Sequence, residues 1–328
     1  MCRTDSFRAA LRWVVLAIAA ALATQASAQS WPDRPIKFIV TQAAGATPDI
    51  IARIVAEKLG QALGQQVIVE NRPGATNAIG AGAAARSAPD GYTFLFATAA
   101  ALVTNPYTFR SLPYDATKDF TAVATIARVP FLVVVNPNVE AKTLPELIAL
   151  EKKNPGVLSV ATDGPRNFTG MITSWISKLA GVTLTQVPYA SMPAGIQDTL
   201  AGRVQVAILA VPSAAPYLQQ NTLRAIATSS EKRIPGYDGV APIAETFPGF
   251  DLIGWFALVA PAGTSQDIVQ RVNRELDKIL KAADVQERLQ RFGFYSDGAG
   301  TPESTSAYIK SQYEAWGRLV KETGFQPE

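Results

Sequence analysis

The sequence contains no histidine and only one cysteine, and both absences restrict its chemistry. Cys2 lies in an N-terminal segment that we predict to be removed, so the mature chain would contain no thiol. This excludes a disulfide, a thiolate nucleophile and a cysteine-ligated metal. The absence of histidine removes the usual general base and the commonest metal ligand. We therefore expect no cofactor, no metal site and no enzymatic activity.

Residues 1–28 have the pattern of an export signal. A basic region with three arginines precedes a short apolar run at 13–22, and residues 26–28 form a small-residue cleavage site. The apolar run is shorter than a membrane span requires, which argues against the alternative of an N-terminal anchor helix. Cleavage after Ala28 would make Gln29 the new N-terminus and deliver the protein to the periplasm.

The mature chain is nearly neutral. The predicted signal holds three arginines and one aspartate, so its removal brings 30 basic and 27 acidic residues to 27 and 26. This balance gives no electrostatic footprint for nucleic acid or for an anionic membrane. No later stretch approaches the roughly 18 uninterrupted apolar residues of a membrane span. We expect a monomer that binds no nucleic acid and is not itself embedded in a membrane.

Short β-branched runs alternate with amphipathic helical patterns, which predicts an α/β fold with mainly parallel sheets. The strands we predict are 36–40, 67–70, 92–97, 131–135, 158–161, 183–187, 204–210, 223–228 and 255–260. The helices we predict are 49–63, 77–88, 144–153, 169–180, 196–202, 266–282 and 301–323. Strands alternating with helices in this way leave a loop at the end of almost every strand.

Two of the predicted strands, 131–135 and 255–260, are interpreted as crossovers between two lobes. They divide the chain into a discontinuous first lobe, 29–133 and 251–328, and a second lobe, 134–250. Two lobes joined by paired strands form a hinge, and the cleft between them is a natural ligand site.

The loop between the first strand and the first helix is rich in small residues. Small residues let backbone N–H groups approach an anion, and the helix N-terminus that follows adds a favourable dipole. A carboxylate can therefore be held here without a cationic side chain; the alternative is a plain tight turn. The candidate ligand-binding residues of this loop are Gln42, Ala44, Gly45, Ala46 and Thr47.

Two further positions complete the candidate site of the first lobe. Asp49 is included, although a carboxylate repels a bound carboxylate, so its expected role is to cap the helix or to hold a water molecule. Thr98 and Ala99 follow the third strand, where a hydroxyl and backbone amides can complete the same anion nest. The alternative for this second position is an ordinary strand-to-helix turn.

The second lobe supplies the other candidates. Arg166, with Asn167 beside it, can bind a second carboxylate through two parallel hydrogen bonds; the alternative is a surface arginine paired with the aspartate of its own loop. Phe168 and Tyr189 can frame a flat or aliphatic ligand body, or belong to the core. Ala210 ends another strand, and its backbone is expected to face the cleft.

Seven motifs spread over the mature chain resemble one known family. They are WPDRPIKFIV (31–40), VIVENRPGA (67–75), APDGYTFLFAT (88–98), LPYDATKDF (112–120), LVVVNP (132–137), VPYAS (187–191) and VAPAGTSQDIVQRVN (259–273). In this order and spacing they resemble the solute receptors of tripartite tricarboxylate transporters, also called Bug-type receptors. The resemblance implies a type II, flytrap-like periplasmic binding protein that binds small carboxylates without chemistry and serves membrane permease subunits.

Both candidate anion loops depart from the pattern of this family. Ala43, Ala44 and Ala46 stand where the family has proline or glycine, and Arg166 stands where it commonly has small or hydroxyl residues. The arginine indicates a subgroup that prefers dicarboxylates, within a general expectation of mono- or dicarboxylates that includes aromatic ones. A receptor that signals to a membrane kinase or regulatory partner, and an exported α/β enzyme, are the alternative functions.

The role of Arg166 can be tested directly. Arg166→Ala should weaken the binding of a dicarboxylate far more than that of a matching monocarboxylate, because only the dicarboxylate has a second acid group for the guanidinium. Isothermal titration calorimetry with the two ligands measures the difference. Equal losses for both ligands would remove Arg166 from the site.

Overall fold

A computed structural model describes residues 31–164, 168–189 and 192–323 of the chain. The predicted export signal and its cleavage site lie outside these residues. Within the described ranges, no helix has both the length and the apolar character needed to cross a membrane.

Ten strands of the described chain form two five-stranded sheets. In chain order they are β1 (Ile36–Val40), β2 (Val67–Asn71), β3 (Thr93–Thr98), β4 (Phe120–Val129), β5 (Phe131–Val135), β6 (Ser159–Thr162), β7 (Thr185–Pro188), β8 (Val206–Ala210), β9 (Arg224–Thr228) and β10 (Gly254–Pro261). The first sheet has the strand order β2-β1-β3-β10-β4, and the second has the order β7-β6-β8-β5-β9.

The helices that surround these sheets follow most of the predicted periodic segments. They are α1 (Thr47–Leu63), α2 (Ala78–Ala85), α3 (Asn105–Thr108), α4 (Leu144–Lys153), α5 (Phe168–Ala180), α6 (Met192–Leu200), α7 (Val211–Gln219), α8 (Ile243–Thr246), α9 (Gln266–Lys281), α10 (Ala283–Arg291) and α11 (Pro302–Thr323), with a π-helical turn at Ala100–Thr104.

Helix α1 illustrates how the sequence sets these bounds. Ile51, Val55 and Leu59 recur every four residues, and all three are completely buried against the first sheet. The helix ends at Gly64, which has a φ of 72°. Glycine adopts this left-handed conformation without a Cβ penalty, and so it ends helices readily.

Both sheets are mixed: four of the five strands in each point in one direction, as the prediction of mainly parallel sheets expected, and one strand runs against them. β2, β1 and β3 are parallel, but β10 runs antiparallel to both β3 and β4. In the second sheet β7, β6 and β8 are parallel, while β5 runs antiparallel to β8 and β9. The physical reason is the crossover. A strand that enters a sheet at the edge where the parallel strands end must run against them.

The two connections between the sheets lie side by side. β4 belongs to the first sheet and β5 to the second, so the chain changes sheet at Pro130. Gly254, the first residue of β10, pairs with Val129, which places the return connection beside the outward one. The predicted boundary between residues 133 and 134 falls inside β5, and the predicted crossover strand 255–260 lies entirely within the first sheet. The residue bounds of the two lobes stay a prediction.

Three apolar clusters fill the described structure. One lies on a single face of the first sheet and contains Phe38 and Phe94, and a second lies on one face of the second sheet and contains Leu209. The third is continuous from one sheet to the other and includes Trp255 of β10 and Trp316 of α11. The two sheets therefore share an apolar core on the side of the crossovers.

A glycine at the paired connections offers a test of this packing. A Cβ at Gly254 would lie 2.6 Å from Cγ1 of Val129, a stiff β-branched side chain, so Gly254→Ala should lower the free energy of unfolding by about 1–3 kcal/mol. Gly239→Ala is the control, because nothing lies within 4 Å of the added Cβ. This substitution should raise the free energy of unfolding by about 0–1 kcal/mol. Urea unfolding measures both. Equal effects of the two substitutions would contradict the close approach of the connections.

Candidate functional site

The predicted ligand loops lie at the hinge-facing edges of the two sheets. β1 and β3 are parallel, so both end at the same edge of the first sheet, and Thr98 at the end of β3 pairs with Phe256 near the start of β10. In the second sheet, Ala210 at the end of β8 pairs with Phe131, which directly follows Pro130. The carboxyl ends of the parallel strands in both sheets are therefore directed to the point where the chain crosses between them.

Asp49 organises the loop after β1. Its side chain is 2% exposed. Oδ2 accepts hydrogen bonds from the Gly45 N–H at 2.9 Å and from Arg53 Nε at 3.0 Å. Oδ1 accepts from Asn71 Nδ2 at 2.9 Å and lies 2.9 Å from Arg53 Nη2. Both carboxylate oxygens are thus occupied by donors of the protein itself.

The surroundings of Asp49 favour its ionised form. Burial by itself would raise its pKa, but the hydrogen bonds from Arg53, the Gly45 N–H and Asn71 outweigh burial, and the pKa lies below the ordinary carboxyl value. Asp49 was expected to cap α1 or to hold a water molecule. The structure joins it to the loop through the Gly45 N–H and to the end of β2 through Asn71, while the N–H of the cap residue Ala46 donates to Ala43 and not to Asp49.

Two backbone amides of this loop already donate within the protein. The Gly45 N–H donates to Asp49, and the Ala46 N–H donates to the carbonyl oxygen of Ala43 at 3.1 Å. Gly45 has a φ of 81°, which turns the chain sharply before α1. Both amides are therefore engaged within the protein in this arrangement, and contact of Gly45 or Ala46 with a ligand stays a prediction.

The other predicted residues of the loop occupy different environments. Gln42 is half-buried, and its carbonyl oxygen accepts a hydrogen bond from Asn71 Nδ2 at 3.0 Å. Ala44 and Thr47 are exposed, and Thr47 is the first residue of α1. The amides of Ala44 and Thr47 are therefore the ones best placed to meet an anion at this helix N-terminus.

Thr98 and Ala99 are buried at the end of β3, with exposed fractions of 6% and 3%. The Thr98 hydroxyl oxygen accepts a hydrogen bond from the Ala101 N–H at 3.3 Å, at the beginning of the π-helical turn. The hydroxyl thus stabilises the strand-to-helix junction, as the alternative interpretation of this segment expected. Contact of either residue with a ligand stays a prediction.

In the second sheet, Arg166 and Asn167 lie outside the described residues. Phe168 is the first residue of α5, and its ring stacks on Phe131 at a centroid distance of 5.7 Å and an angle of 12°. The edge-to-face contact of Phe168 with Trp316 has a centroid distance of 5.1 Å. Phe168 therefore takes part in packing between the crossover and α11, and a role as a ligand wall stays a prediction.

Tyr189 anchors the junction between β7 and α6. Its hydroxyl donates to Asp198 Oδ2 at 2.6 Å, and its N–H donates to the carbonyl oxygen of Thr162 at 2.8 Å. The hydrogen bond to Asp198, together with burial, raises the pKa of Tyr189 above its ordinary value. The predicted role of Tyr189 beside a ligand is thus untested, while its structural role is clear from these contacts.

Ala210 connects β8 to α7 beside the hinge. Val211, the residue that follows it, donates its N–H to the carbonyl oxygen of Pro130 at 3.2 Å. This hydrogen bond ties the first turn of α7 to the outward connection. The predicted position of Ala210 at the hinge edge agrees with this arrangement, and its contact with a ligand stays a prediction.

From the loop after β6, Arg166, Asn167 and Phe168 were predicted to bind a ligand, whereas Asp163 and Thr169 were not. The Asp163 N–H donates to Thr169 Oγ1 at 2.9 Å, and the Thr169 hydroxyl in turn donates to Asp163 Oδ1. Burial raises the pKa of Asp163 above its ordinary value despite these hydrogen bonds. Thr162 is fully buried, and its hydroxyl has no hydrogen-bond partner among the described residues. The signal for this pair in the sequence was the spacing of Asp163 and Thr169 around the start of a predicted helix.

A strained turn beside the first loop was also missed. Ala75, Thr76 and Asn77 have positive φ values of 44°, 47° and 76° immediately before α2. Asn77 Oδ1 accepts from the Thr41 hydroxyl at 2.8 Å, and the Thr76 carbonyl oxygen accepts from Asn105 Nδ2 at 2.6 Å. Strained residues of this kind cluster at functional sites. The contact with Thr41 places this turn against the segment that follows β1.

The sequence has no histidine, so a metal site would have to be built mainly from carboxylates. Among the residues that the structure describes, no group of three or more acidic side chains is placed to hold a metal ion. The carboxylate of Asp49 accepts hydrogen bonds from Gly45, Arg53 and Asn71, and that of Asp163 accepts one from Thr169.

A cavity of about 470 Å³ lies apart from these loops. It opens between α11, β4 and β10, and its lining residues are Leu102, Ala116, Thr117, Phe120, Ala122, Val259, Ser306, Ile309, Lys310, Tyr313 and Glu314. No residue of the second sheet lines this cavity, and none of the candidate ligand residues does.

The fold and its hinge define a class, the type II periplasmic binding proteins, in which two α/β lobes are joined by crossover strands. Within that class, the chain belongs to the tripartite tricarboxylate transporter family of receptors, whose sequence profile matches residues 51–325. Protein BugT from Bordetella pertussis is 33% identical over 311 residues, which are 93% of this chain and 94% of BugT. The predicted family and fold class are thereby confirmed.

Solved structures show the same similarity. Rpa4515 of R. palustris, solved with adipate, is 30% identical and superposes with a TM-score of 0.75 over 91% of this chain and all of its own. MatC (Rpa3494) from Rhodopseudomonas palustris, with bound malate, is 26% identical and has a TM-score of 0.70 over 88% of this chain and all of its own.

The network of Asp49 gives a pH-dependent prediction. Because its pKa is lower in the folded than in the unfolded chain, its stabilising contribution is present above the ordinary carboxyl pKa and is lost as the pH falls toward the folded-state value. Asp49→Asn should therefore lower the free energy of unfolding by about 2 kcal/mol at neutral pH, and by clearly less in acid. Urea unfolding at about pH 7 and about pH 3 measures this difference.

The matched control for this experiment is Asp238→Asn, because Asp238 is exposed. Its effect on unfolding should be small at both pH values. If Asp49→Asn lowers the free energy of unfolding by the same amount in acid as at neutral pH, the carboxylate charge does not hold the loop.

Proposed function

We propose that this protein is a periplasmic receptor that captures a small mono- or dicarboxylate between its two lobes and presents it to the permease subunits of a tripartite tricarboxylate-type transporter. The observation that carries this proposal is the orientation of the two sheets. The strand-to-helix junctions of both are directed to one hinge, in a chain that belongs to a family of transporter receptors.

The first acid group would bind at the N-terminus of α1. Ala44 and Thr47 are exposed there, and their amides, with the helix dipole, attract an anion. The negative charge of Asp49 is offset by Arg53 and by the other donors of its network. The site therefore attracts a carboxylate even though an aspartate lies within three residues of the helix start.

The second acid group would bind at the junction between β6 and α5, where Arg166 supplies a cation. A guanidinium binds a carboxylate through two parallel hydrogen bonds, so the distance between the two anion sites would select the length of the ligand. Adipate and malate, the molecules bound in two structural neighbours, are both dicarboxylates. This supports a dicarboxylate as the preferred class for this chain.

Closure of the lobes over the ligand would convert binding into a signal for the transporter. The hinge lies at Pro130 and at the start of β10, where the two connections are paired. A ligand that contacts both lobes stabilises the closed state, and a membrane partner can recognise that state. Such a receptor releases its ligand unchanged, so no catalytic group is required.

A ligand screen tests the proposed function. The melting temperature should rise with the concentration of any dicarboxylate that binds, and the candidates are malate, adipate and an aromatic dicarboxylate. At a free concentration of 100 times Kd the stabilisation is about 2.7 kcal/mol. The dimethyl ester of adipate should give no shift, because it lacks the charges that the site recognises. Recovery of the unchanged ligand after incubation would exclude an enzyme that consumes it.

The cavity of about 470 Å³ provides a control for the location of the site. Ser306→Trp would partly fill that cavity from its exposed side and should leave the shifts unchanged. The absence of a shift with every mono-, di- and tricarboxylate would contradict the proposed function. A shift that Ser306→Trp abolishes would move the binding site to the cavity.

A further inference from the structure

Helix α11 extends from one lobe to the other. Along its length it packs against β4 and the π-helical turn of the first sheet, and it also contacts α5 of the second lobe. Trp316 is 1% exposed and lies edge-to-face against Phe168. Nearly two turns further along, the backbone carbonyl of Glu322 accepts a hydrogen bond from Lys178 Nζ of α5. The last turns of α11 are thus held by the second lobe.

We propose that the carboxyl-terminal half of α11 is an interlobe brace, and that Trp316 is a positioning residue that holds Phe168 and, through it, the junction between β6 and α5. The role assigned to that junction rests on the proposed function. The brace itself concerns the arrangement of the two lobes and can be measured without any ligand.

The position of Phe168 explains why the contact matters for binding. Phe168 is the first residue of α5, so its main chain continues directly into the segment that carries Arg166. Its ring is packed against Phe131, the first residue after the hinge proline, and against Trp316. Three aromatic rings therefore connect the hinge, the second-lobe junction and the helix of the first lobe.

The same helix also contacts both connections between the lobes. Gln312 Nε2 donates to Asp251 Oδ2 at 3.3 Å, in the segment that leads back to β10. The guanidinium of Arg128, near the end of β4, lies 4.8 Å from the ring centroid of Tyr308. Because α11 is fixed to the first sheet and to both connections, its contact with α5 must change when the lobes rotate apart.

The brace would set the fraction of ligand-free molecules in which the loop between β1 and α1 faces the junction between β6 and α5. A ligand that needs this arrangement binds with an apparent affinity that is reduced in proportion to the fraction of molecules that adopt it. Loss of an aromatic contact of this kind should lower that affinity by about three- to ten-fold. The ligand-free protein should become more open, whereas the liganded protein should keep its closed form.

The experiment compares variants on both sides of the contact. Trp316→Leu removes the ring, Trp316→Phe keeps an aromatic ring, and Lys178→Met removes the hydrogen bond to α11 from an exposed side chain. Trp31→Leu is the control, because Trp31 packs against Tyr92 in the first lobe. Small-angle X-ray scattering of the full chain gives the radius of gyration without ligand, and calorimetry with adipate and malate gives Kd.

A brace predicts a larger ligand-free radius of gyration for Trp316→Leu and a smaller increase for Lys178→Met. It also predicts that the ligand-free radius of gyration returns toward the wild-type value in Trp316→Phe and is unchanged in Trp31→Leu. An unchanged radius for Trp316→Leu, with a loss of stability like that of Trp31→Leu, would overturn the proposal. If Trp316→Leu does not fold, the ligand-free radius of gyration of Lys178→Met tests the brace by itself. If wild type binds no carboxylate, the proposed function fails, while the scattering result still decides the brace.

Discussion

Both sheets receive a strand directly from the hinge, and this constraint determines where every candidate ligand loop lies. β5 enters the second sheet beside the end of β8, and β10 enters the first beside the end of β3. The parallel strands must then end toward the hinge in both sheets. The N-termini of α1, α5 and α7 follow these strand ends, so the proposed anion sites would result from the chain path itself rather than from any cluster of basic side chains.

The candidate anion site is held in shape by hydrogen bonds to acidic and polar side chains. Asp49 fixes Gly45 and receives Asn71, and Tyr189 fixes the β7–α6 junction through Asp198. These groups are engaged with the protein, so they position backbone amides instead of offering charge to a ligand. Together with the apolar core that continues across the crossovers, these hydrogen bonds support the loops on both sides of Pro130.

Local sequence patterns predicted the elements where periodicity was clear. The bounds of β5 and α4 were predicted to the residue, because an unbroken apolar run and a capped amphipathic stretch have little ambiguity. β4 was missed, since its small and polar residues show no clean alternation and its pairing with β10 contains register shifts. α10 was missed because it follows α9 with one intervening residue.

The sequence by itself determined the family and the fold class, through short motifs in a specific order and spacing. Its small residues and helix starts after the strands also predicted where an anion would bind. Only the tertiary structure decided the partners: Asn71 for Asp49, Asp198 for Tyr189 and Trp316 for Phe168. Periodicity reports which face of one element is buried. It carries no information about which distant residue that face will meet.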